Sequence, residues 1–176
     1  MKEFSLEGRV AVITGASRGI GEAIAIAYSG LGAKCVIASR KEDALNEAAQ
    51  RIEAATGNKP LVVPTHVAKL DQLEYLVNAT LETFGQIDIL VNNAATNPVF
   101  GPALMCDEAA WDKIMSVNLK GAFFLTKLVA EQMKKREYGK IINIASVAGF
   151  RVMPGLGIYS ISKAGVIMMT KVLAFE

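Results

Sequence analysis

Much of what this 176-residue chain could be is excluded by what it has little of. It holds only two cysteines and one histidine, and none of them falls in a metal-ligand spacing, so no metal is expected. Cys35 lies in an apolar run and Cys106 in a loop, and both read as reduced thiols of a cytoplasmic protein. Charge of one sign is not in excess: 19 basic residues face 17 acidic ones, which argues against nucleic acid or an anionic membrane as partner. The one basic run, Lys134-Lys135-Arg136, ends a long helical pattern, where cations complement the helix dipole. No run reads as the roughly eighteen apolar residues of a membrane span. Residues 1–8 lack the apolar centre of a secretory leader. Repeats, low-complexity tracts and linkers are missing too, so a single domain over 1–176 is expected.

What is present alternates. Strand patterns are read at 9–14, 34–39, 61–67, 87–92 and 140–145, and helical patterns at 19–31, 42–56, 69–84, 108–136 and 159–176. Leu70, Leu73, Val77, Leu81 and Phe84 recur at three- and four-residue steps and mark one buried helix face. The strands are continuous apolar runs, as in a parallel sheet covered on both faces. The expected fold is therefore α/β, a Rossmann-type doubly wound parallel sheet. Ligands of such sheets sit beyond the carboxyl ends of the strands, where strand order reverses. Met153, Met168 and Met169 read as core or pocket packing.

The first strand runs into Thr14-Gly-Ala-Ser-Arg-Gly-Ile-Gly21, and a helical pattern follows. A strand, a glycine turn and a helix N-terminus make an anion cradle that suits a pyrophosphate. Gly15, Ser17, Arg18, Gly19, Ile20 and Gly21 are the candidate contacts, glycine allowing both the sharp turn and close approach. An acid near the end of the second strand would take the ribose 2′-hydroxyl of NAD, but Cys35–Arg40 contains none. The run ends in Ser39-Arg40, and Arg18 sits inside the glycine loop. Two guanidiniums and a hydroxyl suit a 2′-phosphate, so NADP(H) is expected over NAD(H).

Tyr159-Ser-Ile-Ser-Lys163 places a phenol and an ammonium four apart on one helix face. An ammonium beside a phenol favours the phenolate, which suits a group exchanging protons near neutral pH. Ser146 follows a strand and reaches the carboxyl end of the sheet, where its hydroxyl is placed to bond a substrate carbonyl.

With these residues in view, the chain resembles the short-chain dehydrogenase/reductase family, in its NADP-preferring branch. The motifs are Thr14–Gly21, Asn92-Asn-Ala-Ala95, Asn118 within Val-Asn-Leu-Lys-Gly, Ser146 and Tyr159-x-x-x-Lys163. The resemblance implies an oxidoreductase interconverting a small ketone or aldehyde and an alcohol. By position, Tyr159 is the acid/base, Lys163 lowers its pKa and bonds the nicotinamide ribose, and Ser146 polarises the substrate oxygen. Asn118 would open the preceding helix locally and help hold a water, and Asn93 would contact the cofactor. His66 and Val67 fall where many members carry Asp-Val for the adenine ring, and His66 reads as a tolerated substitution rather than a pH switch. The segment 92–101 resembles the carbonyl and retinal reductases, with 3-oxoacyl-carrier-protein reductases alike in motif. A homodimer or homotetramer is what the family implies.

The helical pattern is still running at Glu176, with no Gly, Asn or Pro to close it. The chain thus reads as cut short of the two further strands, the Pro-Gly turn and the substrate lid that the resemblance implies. The strand at 140–145 is then expected at an edge of the sheet. An alternative function is that of a fragment that binds dinucleotide without turnover. A third, a regulatory NADP sensor, would have no need of the complete catalytic set.

Overall fold

Alternate residues of strand β1 (Val10–Thr14) enter opposite faces of the sheet, and both faces are core. Val10 and Val12 join Val36, Leu73, Leu76, Leu90, Leu125 and Val129 on one side. Ala11 and Ile13 join Ile37, Leu45, Ile52 and Val91 on the other. A computed structural model describes residues 4–176 and shows five parallel strands in the order β3-β2-β1-β4-β5. The others are β2 (Lys34–Ser39), β3 (Leu61–Pro64), β4 (Ile89–Asn92) and β5 (Lys140–Asn143). Helices α1 (Gly19–Gly30), α2 (Glu42–Thr56), α3 (Leu70–Phe84), α4 (Glu108–Met115), α5 (Gly121–Lys135) and α6 (Gly157–Phe175) connect and cover them. Strand order reverses between β1 and β4, the crevice where such sheets bind ligands.

The expected doubly wound sheet is therefore present, with shorter strands. The third stops at Pro64, which lacks an N–H but is tolerated because β3 is an edge. The fourth starts at Ile89 because Asp88 is diverted: its Oδ2 accepts the Val10 N–H at 2.8 Å. The single helix expected over 108–136 is interrupted by a π-helical turn, Ser116–Lys120. Gly121 follows it, because a Cβ there would collide with the carbonyl of Val67.

One expectation is extended and two are corrected. Arg136 is the C-cap of α5, with Lys134 and Lys135 in its last turn, and it also donates to Ile87 O at 3.1 Å and pairs with Asp88 at 2.6 Å. Helix α6 does reach the length and apolarity of a membrane span, yet it is a packed helix whose Ile158, Ser162, Lys163, Val166 and Met169 are buried. Met169 is core, whereas Met168 is 58% exposed on the outer face of α6 and Met153 is also largely open. β5 is an edge strand as expected. Beside it, an open groove of about 590 Å³ runs between α5 and α6, lined by Met133, Tyr138, Ile141 and Leu173 among others.

Candidate functional site

The glycine loop is built for close approach. Gly15 and Gly19 adopt φ of +66° and +62°, which side chains disfavour. At Gly21 a Cβ would lie 2.6 Å from both Gly15 O and Asn93 Nδ2. Arg18, the N-cap of α1, makes no side-chain bond to the helix, so the first N–H groups of α1 face outward uncapped. Ile20 is exposed beside them. An uncapped helix end behind a loop with no room for side chains fits a pyrophosphate.

Asn93 supports the glycine loop directly. Its Nδ2 donates to Thr14 O at 2.9 Å and Gly15 O at 3.2 Å, and its backbone N–H donates to Thr14 Oγ1 at 3.0 Å. Both amide hydrogens are committed, and the side chain is a brace under the glycine loop.

A hydroxyl pair ties the loop to β2: Ser17 Oγ donates to Ser39 Oγ at 3.2 Å. The next residue on each side is an exposed arginine, Arg18 and Arg40, so both guanidiniums stand free at one end of the cradle. A third arginine, which sequence reasoning missed, completes the edge. Arg51 of α2 pairs with Glu22 at 2.5 Å and donates to Ser17 O at 3.3 Å. The Glu22 pairing holds the Arg51 guanidinium firmly charged. Its arginine-to-acid spacing spans 29 residues, so no local pattern could have shown it. His66 follows β3, and Val67 beside it is a buried member of the core.

The chemistry-bearing side chains gather at the carboxyl end of β5. Ser146 caps the short 3-10 turn Val147–Gly149 by accepting the Ala148 N–H at 3.1 Å, which leaves its own hydroxyl proton to donate. That turn lies flush on α6: a Cβ at Gly149 would sit 2.8 Å from the Lys163 carbonyl carbon. Lys163 is buried, only 3% exposed, and its Nζ donates to Ile144 O at 2.6 Å. The same Nζ stands 5.8 Å from the Tyr159 ring centroid. Burial pushes the Lys163 ammonium below the ordinary amine range.

Asn118 sits in the π turn and is buried. Its Oδ1 accepts the Thr96 N–H at 2.7 Å, and its Nδ2 donates to Thr96 O and to Ser162 Oγ, each at 3.0 Å. The side chain is thus a strut with both amide hydrogens committed. Ser162, not anticipated from sequence, passes the strut on by donating to Tyr159 O at 2.7 Å. A serine three residues after Tyr159, within one helical turn and able to bond the carbonyl behind it, was the signal available.

Two loops meet above α6. Gly101 N–H donates to Gly155 O at 2.9 Å, and Gly101 bridges Leu156 as an isolated parallel pair. The rim they form is apolar, with Phe100, Met105, Phe150 and Val152 all largely exposed.

The family model for short chain dehydrogenases matches residues 9–176. The chain is 40% identical over 171 residues to dehydrogenase/reductase SDR family member 4 of Oryctolagus cuniculus, across 97% of this chain and 65% of that protein. It therefore spans less than two thirds of that relative's length. A metagenomic short-chain oxidoreductase in complex with NADP is 35% identical with a TM-score of 0.90, over 97% of this chain and 77% of that one. NAD+-bound xylitol dehydrogenase is 28% identical with a TM-score of 0.93, over 98% and 66%. The chain belongs to the short-chain dehydrogenase family.

Proposed function

We propose that this chain carries the cofactor and acid/base half of an NADP(H)-dependent oxidoreductase that interconverts a small ketone or aldehyde and an alcohol in the cytoplasm. The observation that carries the reading is Lys163: a buried amine with a single hydrogen bond, beside Tyr159 and two residues' reach from Ser146. A buried lysine holding unused donors is costly unless a ligand or a neighbouring proton acceptor uses them.

Bound nicotinamide supplies the hydride. The glycine loop and the uncapped end of α1 hold the pyrophosphate, and Asn93 keeps that loop in shape from below. Arg18 and Arg40, free at the adenosine end, take a 2′-phosphate with charge-assisted bonds. Ser146 donates a hydrogen bond from its hydroxyl to the substrate oxygen and keeps its proton. Tyr159 gives a proton to that oxygen in reduction and takes it back in oxidation. Lys163 orients the phenol from its buried place beside the ring. Asn118 and Ser162 fix the turn of α6 that carries Tyr159.

The test is a titration with NADPH and with NADH, following bound-cofactor fluorescence, and then turnover with an activated ketone. NADPH is expected to bind more tightly, and Arg40→Asp to reverse that order. Tyr159→Phe is expected to keep binding and lose turnover. Failure to bind either nucleotide, or turnover untouched in Tyr159→Phe, overturns the reading.

A further inference from the structure

His66 is the only histidine of the chain, and the charged groups acting on it from three different elements are all cations. They are Arg40 just past β2, Lys69 at the N-cap of α3 and Lys113 on α4. The Thr65 N–H donates to Ser39 O at 2.8 Å, which joins the carboxyl ends of β2 and β3 just where Arg40 and His66 leave them. His66 is pinned there. Its N–H donates to Gln72 Oε1 at 2.6 Å, and its carbonyl accepts from Lys69 at 2.9 Å. The Ala68 N–H donates to His66 Nδ1 at 3.2 Å, so the neutral ring carries its proton on Nε2.

Burial and every charge acting on the ring oppose a second proton, and only a backbone hydrogen bond at His66 itself favours one. Partial burial is the largest influence and the charge of Arg40 the next, with Lys69 and Lys113 adding to it. The Ala68 bond acts in the same sense, because a proton on Nδ1 would end it. Of these, the repulsion from Arg40 is the one that an anion at Arg40 would cancel.

We propose that His66 couples cofactor choice to pH: it takes up one proton from solvent when a 2′-phosphate settles at Arg18 and Arg40, and none when the ribose carries a free 2′-hydroxyl. This rests on the reading that those two arginines hold the phosphate. The dianion removes the repulsion of Arg40 and adds an attraction of its own, so phosphate and proton favour each other at neighbouring sites. Sequence alone gave no reason to read His66 as more than a tolerated substitution; its cationic surroundings come from three separate elements.

A single histidine makes the test direct. The Cε1–H proton resonance of His66 in the tag-free chain is followed through about pH 5 to about pH 8, the range of imidazole titration. Three states are compared: free, saturated with NADPH and saturated with NADH, with saturation checked by cofactor fluorescence. The free midpoint is expected below about 6.5, and NADPH is expected to raise it by about one unit, tenfold in proton affinity. NADH should leave it in place. Arg40→Gln should raise the free midpoint by itself. A midpoint equal in the free and NADPH-saturated chain, or raised equally by both nucleotides, overturns the proposal while leaving cofactor binding intact. Absence of NADPH binding, by contrast, removes the Arg18–Arg40 reading and this proposal with it.

Discussion

At the amino ends of the strands Asp88 is buried among donors, and at their carboxyl ends Lys163 is buried beside one acceptor. Asp88 Oδ2 accepts from Val10 N–H and Gln86 Nε2, each at 2.8 Å, and Oδ1 accepts from Arg136 at 2.6 Å with Arg9 at 3.7 Å. Arg9 in turn lies 4.1 Å over the Tyr138 ring. Burial pushes the Asp88 carboxyl up, but the bonds from Arg136 and Val10 and the two guanidinium charges outweigh it and hold it below the usual carboxylate range. Lys163 has only Ile144 O, and burial pushes it the other way, toward the neutral amine. A buried charge whose bonding capacity is filled ties elements together. A buried charge with capacity in reserve, at the end of the sheet where ligands sit, is placed for something that arrives.

The largest effect that tests this contrast is on turnover. Lys163→Met should lower kcat with NADPH and an activated ketone by about 10²–10⁴-fold, the usual span for a lost acid/base partner. The thermal midpoint should hold or rise, because a buried amine with few partners is replaced by an apolar chain. Turnover that survives Lys163→Met would make Lys163 another structural charge like Asp88 and break the contrast.

The second effect is on stability. Asp88→Ala should cost about 2–4 kcal/mol in urea unfolding, toward the lower part of the range for broken buried pairs because Arg9 and Arg136 are partly exposed. NADPH binding should be unchanged. Linkage gives the two groups slopes of the same sign in different pH windows, the acid range for Asp88 and the basic range for Lys163. The lowered carboxyl of Asp88 contributes stability that is present above its unfolded value of about 3.9 and is lost as pH falls through its folded value. The lowered ammonium of Lys163 leaves the folded state with fewer protons than the unfolded one, so stability rises with pH from its folded value up to about 10.4. Unfolding free energies of wild type, Asp88→Asn and Lys163→Met should therefore converge at opposite ends of the pH scale. Parallel curves for all three would show that neither group is perturbed by folding.

The same contrast explains what could be read in the sequence. The glycine loop, Ser146, Tyr159 and Lys163 are legible because their geometry is local: a turn of eight residues, a strand end, one helical turn. The alternation that gives the sheet is legible for the same reason. Asp88 is a lone acid in an apolar run, and its partners Val10 and Arg136 lie 78 and 48 residues away, so nothing nearby marks it. Arg136 is legible as a helix cap, but its pairing with Asp88 is hidden on the same account. Asn93 and Asn118 announce themselves as polar residues near the site, but which bonds they make depends on Thr14 and Thr96 in other segments. Local pattern thus finds the groups that gather at the carboxyl end of the sheet, and long-range packing decides which polar groups brace.

The smallest effect separates the loops above α6 from the rigid base around Asp88. Gly155 adopts φ +78°, and a Cβ there would meet the Phe100 ring at 2.5 to 2.9 Å. Phe100 is 79% exposed, so its ring is free to swing away, and what remains of the cost is the left-handed backbone, about 1–2 kcal/mol. Gly155→Ala should therefore lower stability by about that much in urea unfolding. Its sharper signature is in the site. Displacing Phe100 loosens the Gly101–Gly155 bond that joins the two loops just ahead of Tyr159. The Michaelis constant for an apolar ketone should rise several-fold while NADPH affinity stays put, because the segment leading to Gly101 bonds to the glycine loop only at Asn93 and Ala94, well ahead of the Gly101–Gly155 contact. Loss of NADPH affinity in Gly155→Ala would mean that the apolar loops and the cradle move together, and that the flexible part of the site extends down to β1.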